Sequence, residues 1–164
     1  EETGRLSGTK AHPELFLDFA AGLGLAREET LRTAPLPATA ALIHWFEYST
    51  KILPFLEGVA AINLAAEGQV VGAFGPFARA LERHYALDRS HVAFWDVHEI
   101  ADAEHSDVGD HIVVRHATSE ELQASIRRSV ETSLAMWCQF FEGMAAAFTG
   151  SEAPDPRARS ASRS

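Results

Sequence analysis

The feature that most constrains the fold is helical periodicity, which is clearest between residues 118 and 150. Thr118 and Glu121 have the spacing of a capping box, and Gly150 lies just past the final apolar residue. Between these signals, the positions of one stripe step by three or four residues: Ile126, Val130, Ser133, Trp137, Phe141, Met144 and Phe148. This spacing predicts one long amphipathic helix.

The rest of the chain has the same character, with prolines dividing one helical stretch from the next. We expect helices that start near Pro13 and Pro37, a short helix over 27–32, and a long helix over 55–74. A break at Gly75-Pro76 and another helix follow, and a further helix covers 90–115 with Ser90 as its N-cap. No segment alternates as a strand would, so the predicted fold class is all-α.

The domain boundaries follow from composition. Of the 164 residues, 46% are hydrophobic, enough for one compact domain, which we assign to 1–150. Residues 151–164 are small, polar and rich in Arg, and we expect a disordered tail. The chain opens at Glu1 without an initiator Met, so it could be a processed product or a fragment that lacks upstream helices. Met136 and Phe140 widen the apolar face of the last helix, which fits a homodimer or a contact with missing helices.

Charge and cysteine content narrow the classes of partner. The net charge is −9 and only 14 residues are Lys or Arg, which argues against binding to nucleic acid or an anionic membrane and favours a small-molecule substrate. Cys138 is the only cysteine, so no intrachain disulfide can form. Without a membrane-length apolar run or a signal peptide in the sequence, we expect a cytoplasmic protein.

Three metal-binding residue types stand together in FWDVHEIADAEH, residues 94–105. At about 100° per residue, His98, Asp102 and His105 lie within roughly 60° of one another around the helix. One helix could therefore present all three ligands, although an internal polar network would give the same pattern. Asp96, Glu99, Glu104 and Asp107 point in other directions.

Glu67 is a second unusual residue, because it lies in the apolar segment INLAAEGQVVGAF. An isolated carboxylate in a core has a large desolvation cost, so a metal, an arginine or water must compensate it. Carboxylates and imidazoles on facing helices of a bundle are a common way to bind two iron or manganese ions.

The order of these residues resembles a known family. An early Glu and His, then AAEGQ, HYALD and FWDVHEIADAEHSDVG, is similar to the haem-oxygenase-like di-iron oxidases and oxygenases, relatives of the thiaminase-II and pyrroloquinoline-quinone synthase fold. The resemblance covers roughly residues 1–115. It implies a haem-oxygenase-like helical bundle in which three carboxylates and three imidazoles bind two Fe(II) ions, with Mn as a substitute and O2 as co-substrate.

Carried onto this sequence, the resemblance implies the following six ligands: Glu2, His12, Glu67, His98, Asp102 and His105. Glu1 could replace Glu2, because the spacing of the early pair varies in the family. His44, Glu47 and Phe94 are candidates for the pocket or the surroundings of the metals. The implied activity is O2-dependent oxidation of a small organic molecule. Two alternatives stay open, namely a metal-free oxidase of the quinone-cofactor synthase type and a non-catalytic helical binding module.

Overall fold

The computed structural model describes residues 10–150, and within this range the chain forms seven α-helices and no strand. They are α1 (His12–Gly22), α2 (Arg27–Arg32), α3 (Pro37–Lys51), α4 (Phe55–Val59), α5 (Phe74–Tyr85), α6 (Ala93–His116) and α7 (Glu120–Thr149). A π-helical segment, Ala60–Glu67, directly continues α4. The all-α prediction is therefore confirmed. No helix in the described range is both long enough and apolar enough to cross a bilayer.

The chain divides into two compact units. The first contains the residues up to Ala34 together with Glu67–Val108, and the second contains Pro35–Ala66 together with the residues from Gly109 onward. The predicted tail, 151–164, lies outside the described residues, as do Glu1 and Glu2.

The core of the first unit is an aromatic cluster around Trp95. Buried Ala78, Leu81, Leu87 and Val92 form its base. The Trp95 ring lies edge-on against the rings of Phe19, Phe74, Phe77 and Phe94, with centroids 4.8 to 5.4 Å apart. Edge-to-face pairs at this spacing are the arrangement that aromatic rings prefer. This cluster fixes the first turns of α6, just before the predicted ligand motif that begins at His98.

The segment predicted as one long helix, 55–74, has a different structure. After α4 the backbone widens into the π-helix, and a turn over residues 68–73 separates it from α5. Gly72 adopts φ +80°, a conformation that glycine tolerates and other residues resist. The predicted break at Gly75-Pro76 therefore lies a few residues earlier, and Pro76 sits in the first turn of α5, where its missing N–H costs nothing.

In the second unit, a side chain from α7 supports the π-helix. The buried Ser133 hydroxyl donates to the Ala61 carbonyl at 2.7 Å, and the Trp45 indole N–H donates to Ser133 Oγ at 3.1 Å. A hydroxyl inserted from a neighbouring helix can compensate for a distorted backbone ladder. Gly109 of α6 allows close packing on the same segment, because a Cβ at this position would lie 2.4 Å from Asn63 Cβ.

Two helix caps differ from the predicted ones. Ser90 does not cap α6; Asp88 accepts hydrogen bonds from the Ser90 hydroxyl and from the backbone N–H groups of Ser90 and His91. These bonds, led by the one from the Ser90 hydroxyl, lower the pKa of Asp88. The N-cap of α7 is Ser119, whose Oγ accepts from the Leu122 N–H at 3.2 Å, one residue later than the predicted Thr118. Gly150 ends α7 with φ +65°, as predicted.

The position of the α7 N-cap, at Ser119 and not at Thr118, can be tested by substitution. Ser119→Ala leaves the Leu122 N–H without its acceptor, and we expect a loss of about 1 kcal/mol in the free energy of unfolding. Thr118→Ala, at the neighbouring exposed position, is the matched control and should stay within about 0.5 kcal/mol of wild type. Chemical denaturation followed by circular dichroism measures both. A larger loss for Thr118→Ala would restore the predicted capping box.

Candidate metal centre

The first unit brings Glu67, Asp102 and His105 together. Each residue offers one ligand atom, and these atoms all lie within 4.8 Å of one another. Glu67 Oε1 is 3.5 Å from His105 Nδ1, and the side chain of Glu67 is only 21% exposed. Asp102 is buried, with 5% exposure. Two separated parts of the sequence therefore place two carboxylates and an imidazole around one point.

Local structure explains how these residues meet. Asp102 and His105 are less than one turn apart on α6, so they project from the same side of the helix. Glu67 is the last residue of the π-helix, a type of helix that is rare and is frequently found at functional sites. In the structure, Glu67 is partly buried and lies close to Asp102 and His105 of α6.

His98 lies one turn before Asp102 and has a defined tautomer. Its Nδ1 is 2.8 Å from the Phe94 carbonyl oxygen. Because a carbonyl only accepts, Nδ1 carries the proton, and the lone pair of Nε2 is available to a metal or a substrate. This arrangement, with one ring nitrogen anchored to the backbone, is typical of histidine ligands in metal sites.

His12, the first residue of α1, lies against His98. The two ring centroids are 4.4 Å apart, and His12 is almost completely buried, with 2% exposure. The structure thus arranges five of the six predicted ligands as a cluster of three and a pair of rings, both in the first unit. The sixth, Glu2, lies outside the described residues and stays a prediction.

The three clustered ligands suit a first-row divalent ion. With metal–ligand bonds of about 2.1 Å, two donors to one ion are at most about 4.2 Å apart, so a pair of ligand atoms at the 4.8 Å limit would have to approach by at least about 0.6 Å when an ion binds. Mixed carboxylate and imidazole donors favour iron or manganese over the softer ions that thiolates select. A cation would also offset the cost of placing two carboxylates together away from bulk water. The residues therefore fit iron.

An open cleft of about 490 Å³ begins at the histidine pair. Its lining comes from α1, α2 and α6 and consists of His12, Pro13, Phe16, Leu17, Thr30, Leu31, Phe94 and His98. Phe94 lines this cleft and contacts His98 with ring centroids 4.2 Å apart, and its predicted role beside the substrate or the metals stays a prediction. None of these lining residues is Lys, Arg, Asp or Glu. The cleft can therefore accept an apolar group next to two imidazoles.

His44 and Glu47, also predicted near the pocket, are exposed residues of α3 in the second unit. The Lys51 ammonium is 3.0 Å from Glu47 Oε1, and this hydrogen-bonded ion pair lowers the pKa of Glu47. Such exposed i, i+4 pairs are common on helices without any functional role. A role for these two residues beside the metals stays a prediction.

Sequence reasoning missed Glu99, which follows His98 on α6. Its carboxylate accepts hydrogen bonds from the backbone N–H groups of Gly72 and Gly75, at 2.9 and 3.0 Å. Helical periodicity points Glu99 away from the ligand stripe, and backbone partners leave no side-chain pattern in a sequence. Only the glycines in the turn after Glu67 hinted at an unusual backbone there.

Comparisons with known proteins agree with this geometry. A family model described as iron-containing redox enzyme matches residues 1–138. A 4-aminobenzoate synthase from Nitrosomonas europaea is 30% identical over 139 residues, which are 84% of this chain and 56% of that protein. The chain thus spans little more than half the length of this curated relative. No solved structure matches significantly.

The family match covers the α1 histidine, the π-helix with Glu67 and the whole of α6. It also agrees with the helical architecture, which is that of a haem-oxygenase-like bundle. By its sequence, the chain belongs to the family described as iron-containing redox enzyme, and its all-α fold is consistent with that family.

Proposed function

We propose that the protein is a non-haem di-iron enzyme that uses O2 to oxidise a small organic molecule. The observation that carries this proposal is the convergence of Glu67 with Asp102 and His105, whose ligand atoms lie within 4.8 Å of one another. Two carboxylates and an imidazole that are partly or fully removed from water are stabilised if a cation binds between them.

In this proposal the clustered residues bind one ion, and the two-histidine pair contributes to the second. Glu2 completes the set as the third carboxylate. Three carboxylates balance most of the charge of two divalent ions, and three neutral imidazoles complete a nitrogen and oxygen ligand set. When bound, two ferrous ions would supply electrons for the reduction of O2.

The residues around the ligands have separate tasks. The Phe94 carbonyl holds the His98 proton on Nδ1, which keeps Nε2 directed outward as a ligand atom. The Phe94 ring forms part of the cleft wall beside the same imidazole. Phe94 therefore orients the proposed ligand His98 and also lines the cleft proposed for the substrate.

The cleft supports a substrate with an apolar body. Apart from His12, His98 and Thr30, its walls are aromatic and aliphatic side chains from three helices, and no lining residue is Lys, Arg, Asp or Glu. The relative from Nitrosomonas europaea is named for an aromatic product, 4-aminobenzoate. An aromatic or aliphatic part of the substrate in the cleft, close to His12 and His98, fits both observations.

Anaerobic titration with Fe(II) tests the metal site. We expect saturation at about two equivalents in the wild type. His105→Ala and His98→Ala each remove a proposed ligand. Changes in residues that only orient ligands typically weaken metal binding about 10- to 100-fold, and we expect these two variants to weaken Fe(II) binding at least as much. His84→Ala, which removes an exposed imidazole from α5, is the matched control and should titrate like the wild type.

Unchanged binding in both ligand variants would remove the di-iron proposal. Activity without iron would instead support the metal-free oxidase of the quinone-cofactor synthase type.

Thermal unfolding separates an iron enzyme from a non-catalytic binding module. A ligand at 100 times its Kd stabilises the folded state by about 2.7 kcal/mol, which corresponds to about 5–10 °C in Tm for a domain of this size. We expect anaerobic Fe(II) or Mn(II) to raise the Tm of chelator-treated protein by this amount. The same addition should leave the Tm of a His98→Ala, His105→Ala double variant unchanged. A binding module without metal would give no shift in either protein.

The cleft can be tested with a neutral fluorescent probe such as N-phenyl-1-naphthylamine. Leu31→Asp puts a charge on the cleft wall, and it should weaken probe binding at least about 10-fold because an apolar ring would then desolvate a carboxylate. Leu31 is 64% exposed, so the fold should tolerate the change. Leu25→Asp, at an exposed position outside the lining, is the control. Equal affinities in the two variants would mean that the probe binds elsewhere.

A further inference from the structure

We propose that Glu99 is a positioning residue for the metal centre, acting through the turn that follows Glu67. This inference rests on the proposed metal-binding function. The Glu99 carboxylate holds the 68–75 segment against α6, and it thereby fixes where the Glu67 carboxylate lies relative to Asp102 and His105.

The two hydrogen bonds that Glu99 accepts from Gly72 and Gly75, here called the clamp, have a specific geometry. Oε1 of Glu99 accepts from the Gly72 N–H at 2.9 Å, and Oε2 accepts from the Gly75 N–H at 3.0 Å. Each carboxylate oxygen thus has its own backbone donor, and bonds to a charged acceptor are stronger than those between neutral groups. All the residues involved belong to the first unit, as do the three clustered ligands.

The clamp acts on a short length of chain. Gly72 is five residues after Glu67, and the turn between them is closed by backbone bonds from the Val70 N–H to the Glu67 carbonyl and from the Ala73 N–H to the Val70 carbonyl. A movement of the turn would therefore be passed to Glu67 through only a few residues. Gly72 has φ +80°, a conformation that other residues rarely adopt, so the shape of this tight turn depends on a glycine at this position.

Glu99 is also well placed along α6. It lies between His98 and Asp102, so the clamp joins the ligand helix to the segment carrying Glu67 within the span of the motif. Its side chain leaves the helix about 100° from that of His98, away from the ligand stripe. Glu99 therefore acts on the ligands through the backbone and does not occupy a ligand position.

The clamp itself can be measured without any metal. Glu99→Gln keeps the size of the side chain, but its NH2 group opposes one of the two backbone donors. In chelator-treated protein, we expect the Gly72 and Gly75 amides to exchange with deuterium at least about 10-fold faster than in the wild type. Glu104→Gln, an exposed carboxylate on the same helix, is the matched control and should leave both amides protected.

The effect on the metal centre is measured by anaerobic Fe(II) affinity. Changes in residues that orient ligands typically weaken metal binding about 10- to 100-fold, and we expect this range for Glu99→Gln with no loss in Glu104→Gln. If Glu99 acts through Glu67, the two changes are coupled. Adding Glu99→Gln to a Glu67→Ala variant should then cause little further weakening.

The possible failures can be told apart. If the wild type binds Fe(II) and Glu99→Gln binds it equally well, the positioning role is wrong and the proposed function stands. If Glu99→Gln weakens binding equally with and without the Glu67 carboxylate, its effect is general destabilisation, and the positioning role is again wrong. If the wild type binds no Fe(II), the proposed function falls and this inference falls with it.

Discussion

The site depends on one contact, between the Glu67 carboxylate and the imidazole of His105, 3.5 Å apart. Glu67 ends a segment whose alanines are buried, and a carboxylate there is stable only if other polar groups or a cation meet it. Asp102 adds a second buried carboxylate to the same place. Two acidic groups in one confined space repel each other, and this repulsion makes a bound cation the simplest explanation for the arrangement.

The second half of the site has a different character. His12 and His98 form a ring pair at the end of a cleft whose other walls are mainly apolar. The carboxylate cluster is therefore suited to binding a hard cation, and the imidazole pair lies where an organic molecule could approach. Phe94 connects the two functions, because its carbonyl fixes the His98 tautomer and its ring forms part of the cleft wall.

Sequence periodicity predicted the helices well where apolar spacing and caps agreed, as in α1, α3 and the end of α7 at Gly150. It failed for 55–74, because a π-helix retains an apolar pattern and only its backbone hydrogen bonds distinguish it. Thr118 and Ser119 are both good N-caps, so composition alone could not choose between them. Desolvation predicted that Glu67 needs a compensating group, and the family resemblance implied its approach to α6. The clamp by Glu99 was not, because backbone N–H groups occur at nearly every residue.

The π-helix has a consequence for how the chain tolerates changes in length. Glu67 is its final residue, and α6 presents its partners from a fixed register. A π-helix holds about one residue more than an α-helix of the same winding, so if the segment became α-helical without losing a residue, every later side chain would turn by about 100° around the axis. Glu67 would then face away from His105, although no ligand had been replaced. For this stretch, the number of residues matters as much as their identity.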